Sequence, residues 1–419
     1  MKVAFLITRN IYFRSFGSII DEFLKRGHQV FCFYDYSQPK KGSKGYQFPD
    51  ISQTPKFRNG QVVCVDFLGE EDLLNKVLKN NIQVVVSLDF AKWHIDLRTK
   101  LKKEGIFWVA LQRAFDVGKD IEEYLYFPDK LFVFSNNYLP AVFKYLKEKG
   151  KAQQDNFVDF EKALQNKIKA IGLYFIDQEK SISPNQVRQE WGIPQDKKVV
   201  AIFPFPFGSS QKKFWAQKVY GLNNRFLQII LAYLYNRRNF LKQILAKEND
   251  FEICKALRKF CDNNNCFLIV KARKKDPAKR YLAKMADKVL FDEEIYPATT
   301  IKCLVVADLF FNFYSTGTFE GVALGKPVVC VAPREQDWED IQDPRFKAVL
   351  EGGNLFDWPG VSYLKTIPEI INNLPKKKLI DFPFIESEKE KYLKNFVAGD
   401  MDSASLDIVL EVERMLEKE

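Results

Sequence analysis

Residues 315–320, Ser-Thr-Gly-Thr-Phe-Glu, carry the clearest chemistry in the chain. Ser315, Thr316 and Gly317 are small, and they separate an apolar run ending at Phe313 from a stretch with helical spacing. A helix that opens on such residues turns free backbone N–H groups and the positive end of its dipole outward, which suits an anion such as a diphosphate. Glu320, one turn in, can accept hydrogen bonds from two ribose hydroxyls. The plainer alternative is that the Ser-Thr-Gly turn only caps a helix in an α/β layer.

Other reactive residue types are sparse. Of the two histidines, His28 stands in Arg-Gly-His-Gln-Val, a helix-to-strand turn where a structural role is expected. His94 follows Asp89-Phe-Ala-Lys-Trp near a strand end and is the candidate for a mobile acid or base, with a structural role open for it too. The seven cysteines, at 32, 64, 254, 261, 266, 303 and 330, have no paired CxxC spacing, and several lie in apolar runs where a thiol packs as a small hydrophobe. No metal site is expected from this set, and free thiols fit a reducing cytoplasm.

The elements that hold these residues are legible as alternating runs. Residues 3–8, 29–34, 62–67, 84–88, 107–111 and 130–134 are strand-like; 15–26, 70–79 and 96–104 have helical spacing. A second series has strands at 199–203, 267–271, 309–313 and 328–332. This is the pattern of doubly wound parallel sheets, in an α/β fold whose ligands sit beyond the C-terminal strand ends. At 419 residues and 48.9 kDa, two domains are the default. The polar stretch with Ser-Ile-Ser-Pro and Gly-Ile-Pro divides the chain into 1–178, a linker at 179–198, a second domain at 199–385 and a charged helical tail at 386–419. Most of the 38 phenylalanines are expected to fill the two cores. The net charge of +10 implies anionic partners. No apolar run approaches the roughly 18 to 20 residues that span a bilayer, and the N-terminal run is too short for a signal peptide.

The order strand, Ser-Thr-Gly turn, Glu320, Gly325-Lys326-Pro327, strand resembles the donor-nucleotide motif in the C-terminal domain of GT-B glycosyltransferases. It is most similar to the CDP-glycerol glycerophosphotransferase and UDP-sugar 2-epimerase type. Asp129-Lys-Leu-Phe-Val-Phe-Ser135, Ile171-Gly172 and 395–405 are weaker echoes of the same group. The resemblance implies two Rossmann-like domains facing a cleft, with a last helix that crosses back to the first domain. It places Ser315, Thr316 and Gly317 on the phosphates and Glu320 on the ribose.

The same resemblance directs attention to further positions. Lys271 ends a strand where the group often carries Lys-x-His-Pro; here Arg273 stands in the histidine position and the proline is missing. Both cations are candidates to neutralise a diphosphate leaving group, with a solvated Lys/Arg cluster as the alternative. Gly208, in Phe-Pro-Phe-Gly after the first strand of the second domain, borders the implied nucleotide cleft. After residues 107–111, Gln112-Arg113-Ala114 replaces the His-Gly that relatives often carry. Asp116 and Asp89 both lie just past strand ends; Asp116 is the first candidate for the base that takes the acceptor's proton, against the alternative, for either, of a helix cap. Arg9 and Arg14 lie at the first turn, where the resemblance implies contact with acceptor or donor phosphate; the alternative is that they are ordinary surface charges.

The implied activity is transfer of a sugar from a nucleotide-diphosphate sugar to a cell-surface glycan or lipid-linked acceptor, with no cofactor other than the donor. CDP-polyol phosphotransfer, weakened by the two departures, and an inactive GT-B scaffold are the alternatives; a 2-epimerase lacks the expected N-terminal carboxylates. Residues 212–242 mix Lys and Arg with aromatics and suit either an inserted core helix or an anionic membrane surface. A cytoplasmic protein is implied, peripheral at the inner face of the membrane only if that segment lies on lipid. No nucleic-acid module accompanies the charge.

Overall fold

The computed structural model describes residues 1–37, 48–88, 93–112, 128–137, 140, 165–204, 249–272, 280–291, 294–313, 315, 317–331, 355–398 and 404–417. Strand β1 (Lys2–Ile7) is apolar on both faces: Val3, Phe5 and Ile7 enter one core, Ala4 and Leu6 another. A parallel strand covered on two sides has this make-up. The chain continues through α1 (Phe13–Lys25), β2 (Gln29–Asp35), β3 (Val63–Phe67), α2 (Gly69–Lys79), β4 (Val84–Ser87), α3 (Trp93–Lys103), β5 (Phe107–Leu111), β6 (Lys130–Val133) and β7 (Ile168–Ala170). Among the described residues these strands form a parallel sheet in the order β3-β2-β1-β4-β5-β6-β7.

A 3-10 helix at Tyr174–Ser181 and α4 (Pro184–Trp191) lead to the second series. It comprises β8 (Lys198–Phe203), α5 (Asn249–Asn263), β9 (Cys266–Lys271), α6 (Arg280–Met285), β10 (Lys288–Leu290), α7 (Thr299–Val306), β11 (Leu309–Asn312), α8 (Gly317–Ala323), β12 (Val328–Val331), β13 (Ser362–Lys365) and α9 (Ile367–Asn373). Its sheet is also parallel, in the order β10-β9-β8-β11-β12-β13. Val199, Ala201 and Phe310 face the core that also holds Phe5 and Val86, whereas Val200, Ile202 and Phe311 face a separate one. One apolar cluster therefore runs from one sheet to the other.

The order of each sheet reverses direction once, between β1 and β4 in the first and between β8 and β11 in the second. Such reversals open a crevice at the C-terminal strand ends, because the flanking helices lie on opposite faces. The turn after β11 is at the crevice of the second sheet, and the turn after β1 is at that of the first.

The chain ends with α10 (Glu386–Phe396) and α11 (Ala404–Glu417). The expected crossing is present. The Ala398 amide donates to the Phe134 carbonyl at 2.7 Å, and the Ser405 amide to Asp177 at 2.7 Å. Glu411 of α11 pairs with Lys130 and Lys169 at 2.9 and 2.7 Å, and Glu413 with Arg26 at 2.8 Å. His28 joins them, its Nε2 2.7 Å from Glu413 and its Nδ1 3.2 Å from the terminal amine, which is the structural role expected for it.

Candidate functional site

The α8 segment is built from local chemistry at both ends. At its start, Ser315 Oγ accepts from the Gly317 amide at 3.2 Å and its carbonyl from the Thr318 amide at 3.0 Å, so Ser315 caps its own helix. Buried Asn312, the last residue of β11, donates to Thr318 Oγ1 at 3.1 Å and fixes the turn. In the middle, a Cβ on Gly321 would stand 2.7 Å from Val328 Cγ2, so only glycine lets α8 lie this close to the sheet. At its end, Gly325 has φ of +71°, the Lys326 amide reaches the Gly321 carbonyl and the Gly325 amide the Val322 carbonyl. This is a Schellman closure, and Pro327 then releases the chain into β12. Lys326 itself lies at the far end of the sheet from the Ser315 turn, donating to the Val305 carbonyl at 3.0 Å; burial lowers its pKa.

Glu320 is the centre of the site. Its side chain is 4% exposed, and Arg14 Nη2 straddles both carboxylate oxygens at 2.7 and 2.6 Å. Arg14 stands in the first turn of α1, after β1, and Glu320 in the first turn of α8, after β11. The pair thus joins the crevice end of one sheet to that of the other. Lys271, at the end of β9, is buried, with its ammonium 5.8 Å from the centre of the Phe203 ring at the end of β8. Phe203 in turn packs edge-on against Phe310 of β11 with ring centres 4.5 Å apart.

A second contact between the units lies further along α1. Tyr296 lies over Gly17, where a Cβ would fall 2.1 Å from the ring, and its hydroxyl donates to buried Asp21 at 2.5 Å. Burial, reinforced by that hydrogen bond to a carboxylate, raises the phenol's pKa. Asp21 also accepts from the amides of Arg58 and Asn59 at 2.8 and 3.2 Å. Gln178 bridges the two places, donating to the Arg14 carbonyl at 3.2 Å and accepting from the Ala298 amide at 2.6 Å.

Of the residues singled out in the sequence, Ser315, Gly317 and Glu320 are at the end of β11 and Lys271 is at the end of β9, two strands away. Thr316, Arg273, Gly208, Asp116, Asp89, Arg113, Ala114 and the 212–242 segment lie outside the described residues, as does the side chain of His94, whose backbone is in α3. Sequence reading missed that Arg14 is Glu320's partner. A signal existed: Arg14, Gly17 and Asp21 are spaced three and four apart, so a charge, a gap and a carboxylate share one stripe of a largely apolar helix. Among the described residues no group of three or more His, Cys, Asp or Glu is placed to hold a metal ion, and no helix is long and apolar enough to cross a membrane.

A shallow hollow of about 880 Å³ opens elsewhere, between Trp358, Tyr363, Pro383, Ile385 and Glu388. It sits at the N-terminal end of β13, opposite the ends that carry Lys271 and Asn312. It therefore does not belong to the crevice.

No protein-family model and no curated protein sequence matches the chain. Solved structures do. The UDP-GlcNAc 2-epimerase from Neisseria meningitidis, bound to UDP-GlcNAc, aligns over 99% of this chain and 100% of its own, with a TM-score of 0.53 at 11% identity. The wall teichoic acid polymerase TagF aligns over 100% of this chain and 89% of its own, with a TM-score of 0.56 at 13% identity. The chain has the GT-B fold. At such identities the likeness extends to the architecture, and the chemistry must be read from this chain's own residues.

Proposed function

We propose that the chain is a GT-B glycosyltransferase that moves a sugar from a nucleotide-diphosphate sugar to a cell-surface glycan or a lipid-linked acceptor. The observation that carries this reading is Glu320: a carboxylate with 4% of its side chain exposed, at the switch point of the second sheet, beside the cation of Arg14 and with Lys271 two strands away. A buried acceptor for hydroxyl donors next to positive charge suits a nucleoside diphosphate, with the ribose on Glu320. UDP-GlcNAc in the Neisseria enzyme and CDPG soaked into TagF support a ligand of that class.

In the proposed reaction the bond from the anomeric carbon to the diphosphate oxygen breaks, and the nucleoside diphosphate leaves with the electron pair. The acceptor oxygen bonds to the anomeric carbon, and its proton passes to a base, assigned to Asp116 with His94 as the other candidate. Ser315, Thr316 and Gly317 are assigned to the phosphates, Gly208 to the border of the nucleotide cleft, and Lys271 with Arg273 to the leaving group's charge. The acceptor lies at the cytoplasmic face of an anionic membrane in this scheme.

The test is product analysis by ion-exchange chromatography after incubation with UDP-, GDP- and TDP-sugars and CDP-glycerol. Release of a nucleoside diphosphate that falls at least tenfold in Glu320→Ala supports the proposal. Release of CMP instead identifies polyol-phosphate transfer. Equal release by wild type and Glu320→Ala, or none from any donor, contradicts the assignment of the site.

A further inference from the structure

Glu320 reaches ribose hydroxyls only if its present partner yields. Both carboxylate oxygens are engaged by one nitrogen, Arg14 Nη2, and the carboxylate is enclosed while the arginine is 29% exposed. Of the two, the guanidinium is therefore the member that can leave. Its departure has a consequence set by charge. Glu320 would keep hydroxyl donors in place of N–H donors, but Arg14 would lose its counter-ion unless the incoming ligand supplies one.

We infer that Arg14 is a specificity-determining residue: it holds both oxygens of Glu320, and it yields to ligands that bring a diol for Glu320 together with an anionic phosphate for itself. The inference rests on the nucleotide reading given above. A neutral nucleoside must displace the guanidinium and offers it nothing, so it is selected against. A nucleoside 5′-diphosphate carries the replacement partner on the same molecule. The remaining contacts of α1 keep the guanidinium near while it changes partner, because the Arg14 carbonyl is held by Gln178 and the next turns of the helix are pinned by Tyr296 at Gly17 and Asp21.

Opposite signs of effect for two ligands distinguish this role from a merely structural one. Isothermal titration of the full chain compares uridine and cytidine with UDP and CDP in wild type, Arg14→Gln, Arg14→Lys and Glu320→Gln. The expected result is that Arg14→Gln raises nucleoside affinity at least fivefold while leaving diphosphate affinity unchanged or lowering it, so that the diphosphate-to-nucleoside ratio falls tenfold or more. Arg14→Lys, which keeps the charge, holds the ratio within about threefold of wild type. A ratio unchanged in Arg14→Gln, with binding lost in Glu320→Gln, overturns the inference while the nucleotide reading stands. Binding of a diphosphate that is the same in Glu320→Gln as in wild type, or absent in every variant, removes both. Far-ultraviolet circular dichroism and a single cooperative melt confirm that each variant titrated is folded.

Discussion

Helix α1 meets the second unit in two places that are made of different materials. At Gly17 and Asp21 the contact is steric and buried: a ring lies where a side chain would be, and its hydroxyl ends on a carboxylate already shared with two backbone amides. One to two turns earlier the contact is a single ion pair, one end enclosed and the other partly in water. The first has no replacement partner and can only be kept or broken. The second has one, since water, hydroxyls and phosphates can all serve. The first contact ties the two sheets together; under the proposed function, the second is where a ligand binds.

Breaking the first contact should have the largest effect. Gly17→Val forces atoms into the Tyr296 ring and is expected to cost about 2–3 kcal/mol. Urea unfolding checks this, and a loss below about 0.5 kcal/mol would mean that Tyr296 does not pack here. Asp21→Ala leaves the Tyr296 hydroxyl and the Arg58 and Asn59 amides without their acceptor, at about 1–3 kcal/mol.

The ion pair should behave differently, and unequally at its two ends. Arg14→Gln leaves an enclosed carboxylate without its charge partner, but the arginine's partial exposure keeps the expected cost to about 1 kcal/mol in the same assay, at the top of the range for exposed pairs. Glu320→Ala leaves an arginine that can turn to water, so its cost should be smaller. For nucleotide binding the order reverses, with Glu320→Ala the more damaging. Equal costs in both assays would erase the distinction between a fastener and a site.

The smallest effect concerns the third tie, from α11 to the first sheet. Burial alone would raise the pKa of Glu411, but hydrogen bonds from Lys169 and Lys130 and their charges outweigh it and bring the value to about 2. The folded value is thus below the unfolded one, so the stabilisation is complete above about pH 4.5 and is lost as pH falls toward 2. Glu413, held down first by its hydrogen bond from Arg26, acts in the same direction. Hydrogen exchange in α11 should accelerate across that window in wild type and lose most of its pH dependence in Glu411→Gln.

The strands and the α8 segment were legible because buried parallel strands are continuous apolar runs and because Gly325 and Pro327 mark a helix end and a strand start. The crossing of the last helix was legible only through resemblance. The short strands β7, β10 and β13 left no run long enough to read. The Arg14–Glu320 pair was hidden for another reason. Spacing shows which residues share a helix face, but not which of many carboxylates 306 positions away that face will meet. Ser315 was read as an anion ligand with capping as the alternative, and capping is what its hydroxyl does in this structure.

Thermal melting decides whether Glu320 serves a nucleoside diphosphate, as proposed. A panel of UDP, CDP, GDP and TDP, each at about 100 times its dissociation constant for wild type, should add on the order of 2.7 kcal/mol of stability for the ligand that fits. A raised melting temperature is expected with one of these diphosphates in wild type, and none with the same ligand in Glu320→Ala. An equal shift in both proteins, or no shift with any of the four, would contradict the proposed role.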